Sequence, residues 1–124
     1  MKNGKAVVLV VEDNTVIRMG AVDLVLSAGY EALEAHDADA AIRILESRDD
    51  IDLVFTDVQM PGTMDGIKLS YYIRDRWPPV KLIVASGDAI LEESSLPTGS
   101  RFFSKPYDEH TITDAMARLL ASDN

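Results

Sequence analysis

The sequence predicts an α/β fold, a doubly wound parallel sheet of five strands in the order 2-1-3-4-5 with helices on both faces. Two observations carry this. Short β-branched apolar runs alternate along the chain with stretches of helical spacing, and four of those runs end directly on polar or charged residues. Open sheets of this kind bind ligands beyond the carboxyl ends of their strands, so those terminal residues gather in one crevice. With 124 residues and no internal repeat, low-complexity tract or linker, the chain reads as one domain, 1–124, able to bury its own core.

The first strand is Val7-Val8-Leu9-Val10-Val11, which runs into Glu12-Asp13. Asn14 then caps a helix whose Ile17, Ala21, Leu24 and Ala28 fall on one face and are expected inside, and Gly29 ends it. Tyr30 to Glu34 alternates as a weaker strand, and a helix from about Asp37 buries Ala38, Ala41, Ile42 and Leu45. The third strand, Asp52 to Thr56, ends on Asp57. The next helix, near Asp65 to Trp77, turns Leu69, Ile73 and Trp77 inward and is closed by Pro78-Pro79. Val80 to Ala85 forms a strand ending on Ser86. Ala89 to Glu93 has the spacing of a short helix, but Pro97 and Gly99 cut it off early. Arg101 to Ser104 is the last strand, followed by Lys105-Pro106 and a helix capped by Asp108 with Ile112, Ala115, Met116 and Leu119 inward.

Composition excludes several classes. A net charge of −9 argues against nucleic acid or anionic lipid as the main partner, because both attract cationic surfaces. With no cysteine there is neither a disulfide framework nor a thiol nucleophile. The apolar runs are too short to span a bilayer, and Met1-Lys2-Asn3-Gly4-Lys5 leads into a strand rather than a signal-peptide core, so the expected location is cytoplasmic, away from the membrane. His36 and His110 lack partners at metal-ligand spacing and read as surface residues, and the five methionines are scattered rather than clustered.

What gathers at the strand ends is chemically pointed. Glu12, Asp13 and Asp57 supply carboxylates, Ser86 a hydroxyl and Lys105 an ammonium, which together outline a phosphoryl-transfer site. A carboxylate attacking a phosphoryl group brings two anions together. A divalent cation offsets that repulsion, and hard Mg²⁺ is held by a few carboxylates and waters. Asp13 and Asp57 are the expected direct ligands, with Glu12 acting through water. Lys105 would neutralise a phosphoryl oxygen as a point charge.

The spaced set Glu12-Asp13, Asp57 with Met60-Pro61 and Met64-Asp65-Gly66, Ser86, and Lys105-Pro106 resembles the receiver domains of two-component response regulators, over essentially the whole chain. The resemblance implies a flavodoxin-like fold and a phosphorylation-dependent signalling switch, expected as either a stand-alone, single-domain regulator or a receiver cut from a hybrid kinase. In it Asp57 accepts a phosphoryl group from a phosphohistidine, and Glu12 and Asp13 help bind Mg²⁺. The backbone carbonyl of Gln59 is a further metal ligand, Ser86 and Lys105 contact the phosphoryl oxygens, and the Lys105-Pro106 peptide is cis. It implies as partner a sensor histidine kinase or a histidine phosphotransfer protein, with a downstream protein target. Phe102 takes the place of the switch aromatic, without a hydroxyl. Gly62-Thr63 puts two residues where one usually separates the proline from Met-Asp-Gly, and Ser86 and Lys105 stand closer than usual, as a truncated fourth helix would require.

The competing class is a Mg²⁺-dependent phosphatase with an aspartyl-phosphate intermediate. Such enzymes usually carry a second acid two residues beyond the nucleophile, where this chain has Gln59. The expectation is therefore a protein that catalyses only its own aspartyl phosphorylation and dephosphorylation, with no external substrate. Gln59 and Asp88, each two positions past a site residue, are expected to flank the path of the hydrolytic water. The first helix also carries a second apolar stripe, Met19, Val22 and Leu26, opposite its core face and expected to dock the phosphohistidine protein.

Overall fold

The computed structural model describes residues 4–87 and 92–121. Strands β1 (Val7–Val11), β2 (Glu31–Ala35), β3 (Leu53–Asp57), β4 (Lys81–Ser86) and β5 (Arg101–Ser104) alternate with helices α1 (Thr15–Ser27), α2 (Ala38–Ser47), α3 (Gly66–Arg76) and α4 (Glu109–Ala121). Among the described residues the strands make one sheet in the order β2-β1-β3-β4-β5, every pairing parallel.

Alternation along β1 divides the core in two. Val7, Leu9 and Val11 face one side, against Ala38, Ala41 and Leu45 of α2 and Leu69 and Ile73 of α3. Val8 and Val10 face the other, with Leu53, Phe55 and Ile83, against Ala21, Leu24 and Val25 of α1 and Ile112, Ala115 and Met116 of α4. A strand buried on both faces must be apolar throughout, which is why β1 and β3 read as continuous runs rather than alternating ones. Each fully buried aliphatic side chain stabilises the fold by about 1.5–3 kcal/mol.

The helix starts are fixed by side chains at the expected positions. Asn14 Oδ1, Asp37 Oδ1 and Asp65 Oδ1 each accept a 2.9 Å bond from the backbone N–H three residues on. Each such cap contributes about 1 kcal/mol. Gly29, at φ 94°, takes the left-handed turn that closes α1.

Three expectations need correction. Helix α1 turns Ala21, Leu24 and Val25 to the sheet, and Ile17 is 44% exposed. Ile17 sits at the start of the helix, above the carboxyl end of β1, where it lines the cleft beside Glu12, Asp57 and Lys105 rather than the sheet. Ala28 is the half-buried C-cap. In the same helix Val22 is half-buried against the core, while Val16, at 77% exposure, joins Met19 and Leu26 on the open face. Strand β2 runs one residue later than Tyr30 to Glu34, because Glu31 to Ala35 is the stretch in register with Val7 to Val11.

The connection between β4 and β5 is described in part. Residues 88–91, most of the expected Ala89 to Glu93 helix, lie outside the described residues. Beyond them the chain makes a 3-10 turn, Glu93–Ser95, then buries Leu96 and turns again where Ser100 N–H bonds Pro97 C=O at 3.0 Å. The described part of this strap is fastened to α3: Tyr71 Oη donates to Ser95 C=O at 3.0 Å and Arg74 Nη1 to Thr98 C=O. Glu93 Oε2 accepts from Phe102 N–H at 3.0 Å. Leu96 packs with Val58, Val84, Ile67 and Phe102 over the end of the sheet.

Helix α3 starts in close contact with the loop after β3. A Cβ built on Gly66 would lie 2.1 Å from the Asp57 carbonyl oxygen and 2.9 Å from Val58 Cα, and Gly66 N–H donates to Val58 C=O at 2.9 Å. Both obstacles are backbone, so neither yields without moving Asp57. Gly66→Ala should therefore lower stability by about 3 kcal/mol, read as a fall in the urea midpoint. An unchanged midpoint would mean that α3 is free to move away from Asp57.

Candidate functional site

Four strand ends supply the site, and backbone bonds set their relative heights. Asp57 pairs in register with Ala85, Val58 N–H donates to Ala85 C=O at 3.0 Å, and Lys105 N–H donates to Ser86 C=O at 2.8 Å. Glu12 N–H reaches Ala35 C=O at 3.0 Å. With those heights fixed, carboxylate oxygens of Glu12, Asp13 and Asp57 all come within 4.8 Å of one another. Glu12 and Asp57 are buried and Asp13 is exposed at the mouth.

Lys105 enters this cluster from β5. Its Nζ lies 2.7 Å from Asp57 Oδ1 and 3.2 Å from Glu12 Oε1. The Asp57 contact is a close ion pair that sets an ammonium directly against the carboxylate. The Lys105-Pro106 peptide is cis, as the resemblance implies. Burial pushes the Glu12 carboxyl up. The Asn14 N–H bond, at 3.1 Å, and Lys105 offset part of this, Asp57 adds to it, and the group ends above the ordinary glutamate value. For Lys105, burial acts downward, but the contact with Asp57 and the charges of Asp57 and Glu12 outweigh it and hold the ammonium above the ordinary lysine value.

Ser86 is fully buried at the end of β4, where the expected reporter hydroxyl already has a partner. Gln59 Nε2 donates to Ser86 Oγ at 2.9 Å, and Gln59 Oε1 lies 3.2 Å from the same oxygen. Phe102 is half-buried and packed on Val58, Val84 and Leu96, so the space a switch aromatic would use is bounded by the strap. Asp88 lies outside the described residues. His36 and His110 are exposed, as expected.

One contributor was not foreseen. Arg18 Nη1 donates to Glu12 C=O at 2.8 Å and its Nε to Glu34 Oε1 at 3.1 Å, so it pins the turn that carries the acid pair. Its role depends on β2 lying beside β1, which no local pattern announces.

The donor set suits a small hard cation, since three carboxylates offer oxygen ligands in a compact, one-sided arrangement. Comparison with known proteins agrees with this geometry. A family model described as the response regulator receiver domain matches residues 8–117. The chain belongs to the response regulator receiver domains. The response regulator protein FleR of Pseudomonas aeruginosa is 36% identical over 116 residues, which is 91% of this chain and 24% of FleR. The chain thus spans about a quarter of that relative's length. The crystal structure of the receiver domain from the hybrid histidine kinase CckA, 34% identical, superposes with a TM-score of 0.78, covering 93% of this chain and 99% of that one. A response regulator receiver protein from Sinorhizobium medicae, at 24% identity, shares the fold with a TM-score of 0.89 over 97% and 98% of the two chains. Receiver domains are phosphorylation-dependent signalling switches, bind Mg²⁺ at an acidic site, and interact with sensor histidine kinases or phosphotransfer proteins. The phosphatase alternative is not favoured. Among the described residues, no helix is long and apolar enough to cross a membrane.

The raised Glu12 carboxyl has a pH consequence. A carboxyl whose folded value exceeds its unfolded value opposes folding once it ionises; the cost is absent below the unfolded value, about 4.3, and fully present above the folded one. Metal-free Glu12→Gln should melt several degrees above the parent at neutral pH, with the gap closing as pH falls below the ordinary carboxylate range. A gap that is constant with pH would show that Glu12 ionisation is not its source.

Proposed function

We propose that Asp57 is the phosphoacceptor of this receiver domain, and that Glu12, Asp13, Asp57 and the Gln59 backbone carbonyl hold Mg²⁺ while it is loaded. The observation that carries the reading is the Lys105 ammonium 2.7 Å from Asp57, inside a cluster of three carboxylates. In this reading an Asp57 carboxylate oxygen forms the new bond to phosphorus as the bond from phosphorus to the histidine nitrogen breaks, and the leaving imidazole takes up a proton. Bound Mg²⁺ would offset the charge that the two anions bring together. Lys105 passes from the carboxylate to a phosphoryl oxygen, a short path for an ammonium on a flexible stem. Ser86 donates a hydrogen bond from its hydroxyl to another phosphoryl oxygen. The added charge then biases the domain towards the state that a target protein prefers. Gln59, an amide without a proton to give in acid catalysis, supports self-limited chemistry rather than turnover of external phosphomonoesters.

Asp57→Asn is the direct test. The amide keeps the shape of the carboxylate and cannot form an acyl phosphate, so incubation with acetyl phosphate and Mg²⁺ should leave the variant unlabelled while the parent takes up one phosphoryl group. Label that persists on the variant, stable to acid and labile to base, would move the acceptor elsewhere.

The open face of α1 supports a docking role for the phosphohistidine protein. Val16, Met19 and Leu26 are 77%, 59% and 53% exposed, and the stripe begins one turn from the acid pair. The partner's donor histidine has to reach Asp57, so its helices must rest on a surface at the rim of this site. Val16→Glu, at the most exposed of the three, should slow transfer from the cognate phosphohistidine protein by about tenfold or more, on the order of 1.4 kcal/mol of barrier. Labelling by acetyl phosphate, which needs no docking, should stay near the parent rate. Equal slowing with both donors would place the damage in the site, and no slowing with either would exclude this face.

A further inference from the structure

The amide of Gln59 and the hydroxyl of Ser86 meet although they come from different strand ends. Gln59 lies in the loop two residues past Asp57, and Ser86 closes the neighbouring strand β4, next to Ala85, the register partner of Asp57. The amide straddles the hydroxyl, with Nε2 at 2.9 Å and Oε1 at 3.2 Å from Oγ.

A serine hydroxyl has one proton to give and two lone pairs to accept with, so these two contacts are not equivalent. The shorter one, from Nε2, uses a lone pair of Oγ and makes no call on the proton. The longer one, to Oε1, requires the proton. A phosphoryl oxygen on Asp57 needs that same proton, and it is the stronger acceptor because it is charged. The Ser86 O–H can therefore turn its hydrogen bond from Gln59 Oε1 to the phosphoryl oxygen while the Nε2 bond stays in place. That retained bond keeps Oγ at one position and strengthens the hydroxyl as a donor.

We infer that Gln59 is a positioning residue for phosphoryl recognition: its side-chain amide holds the Ser86 hydroxyl so that it donates its hydrogen bond to a phosphoryl oxygen on Asp57. The role is separate from that of the Gln59 backbone carbonyl, which any residue would supply, and it rests on the reading of Asp57 as phosphoacceptor. A leucine at this position has similar bulk and cannot donate. Without the Nε2 bond the buried hydroxyl loses one of the contacts that orient it, and part of the phosphoryl contact goes with it.

The test is a double-mutant cycle read through beryllium fluoride, which with Mg²⁺ mimics a phosphoryl group on a carboxylate. Dissociation constants are measured by calorimetry for the parent, Gln59→Leu, Ser86→Ala and the double variant. Gln59→Leu should weaken binding about tenfold when Ser86 is present, on the order of 1.4 kcal/mol. In the Ser86→Ala background the same change should cost less than about twofold, the range in which independent sites add. A merely structural effect on the loop would weaken both backgrounds alike, and that result would overturn the inference, as would no weakening in either. Failure of the parent itself to bind beryllium fluoride would instead remove the phosphoacceptor reading, and the inference with it.

Discussion

Like charge is the constraint on which this structure turns. Two buried carboxylates, Glu12 and Asp57, and a third at the mouth, Asp13, are held within 4.8 Å of one another by strands that have no freedom to separate. Such a cluster is tolerable only with a cation inside it. Lys105 is that cation in the present state, at 2.7 Å from one carboxylate and 3.2 Å from another. The supporting features are consequences of that need: β5 must end level with β3, Lys105 N–H must find Ser86 C=O, and Arg18 must hold the Glu12 turn from behind. A site that repels itself is also one that welcomes a divalent ion, so the same repulsion that opposes folding favours loading.

The layered fold was legible because its information is local. Val7 to Val11 can only be a doubly buried strand, and Asn14, Asp37 and Asp65 are cap residues whose role depends on three neighbours. The convergence of Glu12, Asp13, Asp57, Ser86 and Lys105 was legible for a related reason, since the strand-end rule places residues without needing their contacts. What escaped were relations between elements. The rotation of α1, which exposes Ile17 and hides Val22, is set by packing on β1 and α4, and the four-three-four spacing fits either orientation about equally. Arg18 and the Gln59 to Ser86 pair join residues that sequence leaves far apart, 27 positions in the second case.

Gly66 shows how tightly the scaffold and the site are coupled. With the start of α3 in backbone contact with Asp57 and Val58, a displacement of the Asp57 loop is passed directly to a helix. The apolar cluster of Val58, Val84, Leu96 and Phe102 joins the same loop to the strap, so the loop, α3 and the strap are in continuous packing contact. Interiors packed this closely shift between discrete arrangements and do not deform gradually.

The strap between β4 and β5 is held by Tyr71 and Arg74 at the carbonyl groups of Ser95 and Thr98, not at their side chains. Every residue type carries a carbonyl, so those two bonds make no demand on the identity of the residues they grip. Outside Glu93, which accepts from Phe102 N–H, and Leu96, Pro97, Gly99 and Ser100, which are tied to burial and turn geometry, the outward lettering of the described part of the strap is thereby uncoupled from its shape. One backbone path could then present many different surfaces, and a domain built this way could exchange the vocabulary it offers to others while its frame stays constant.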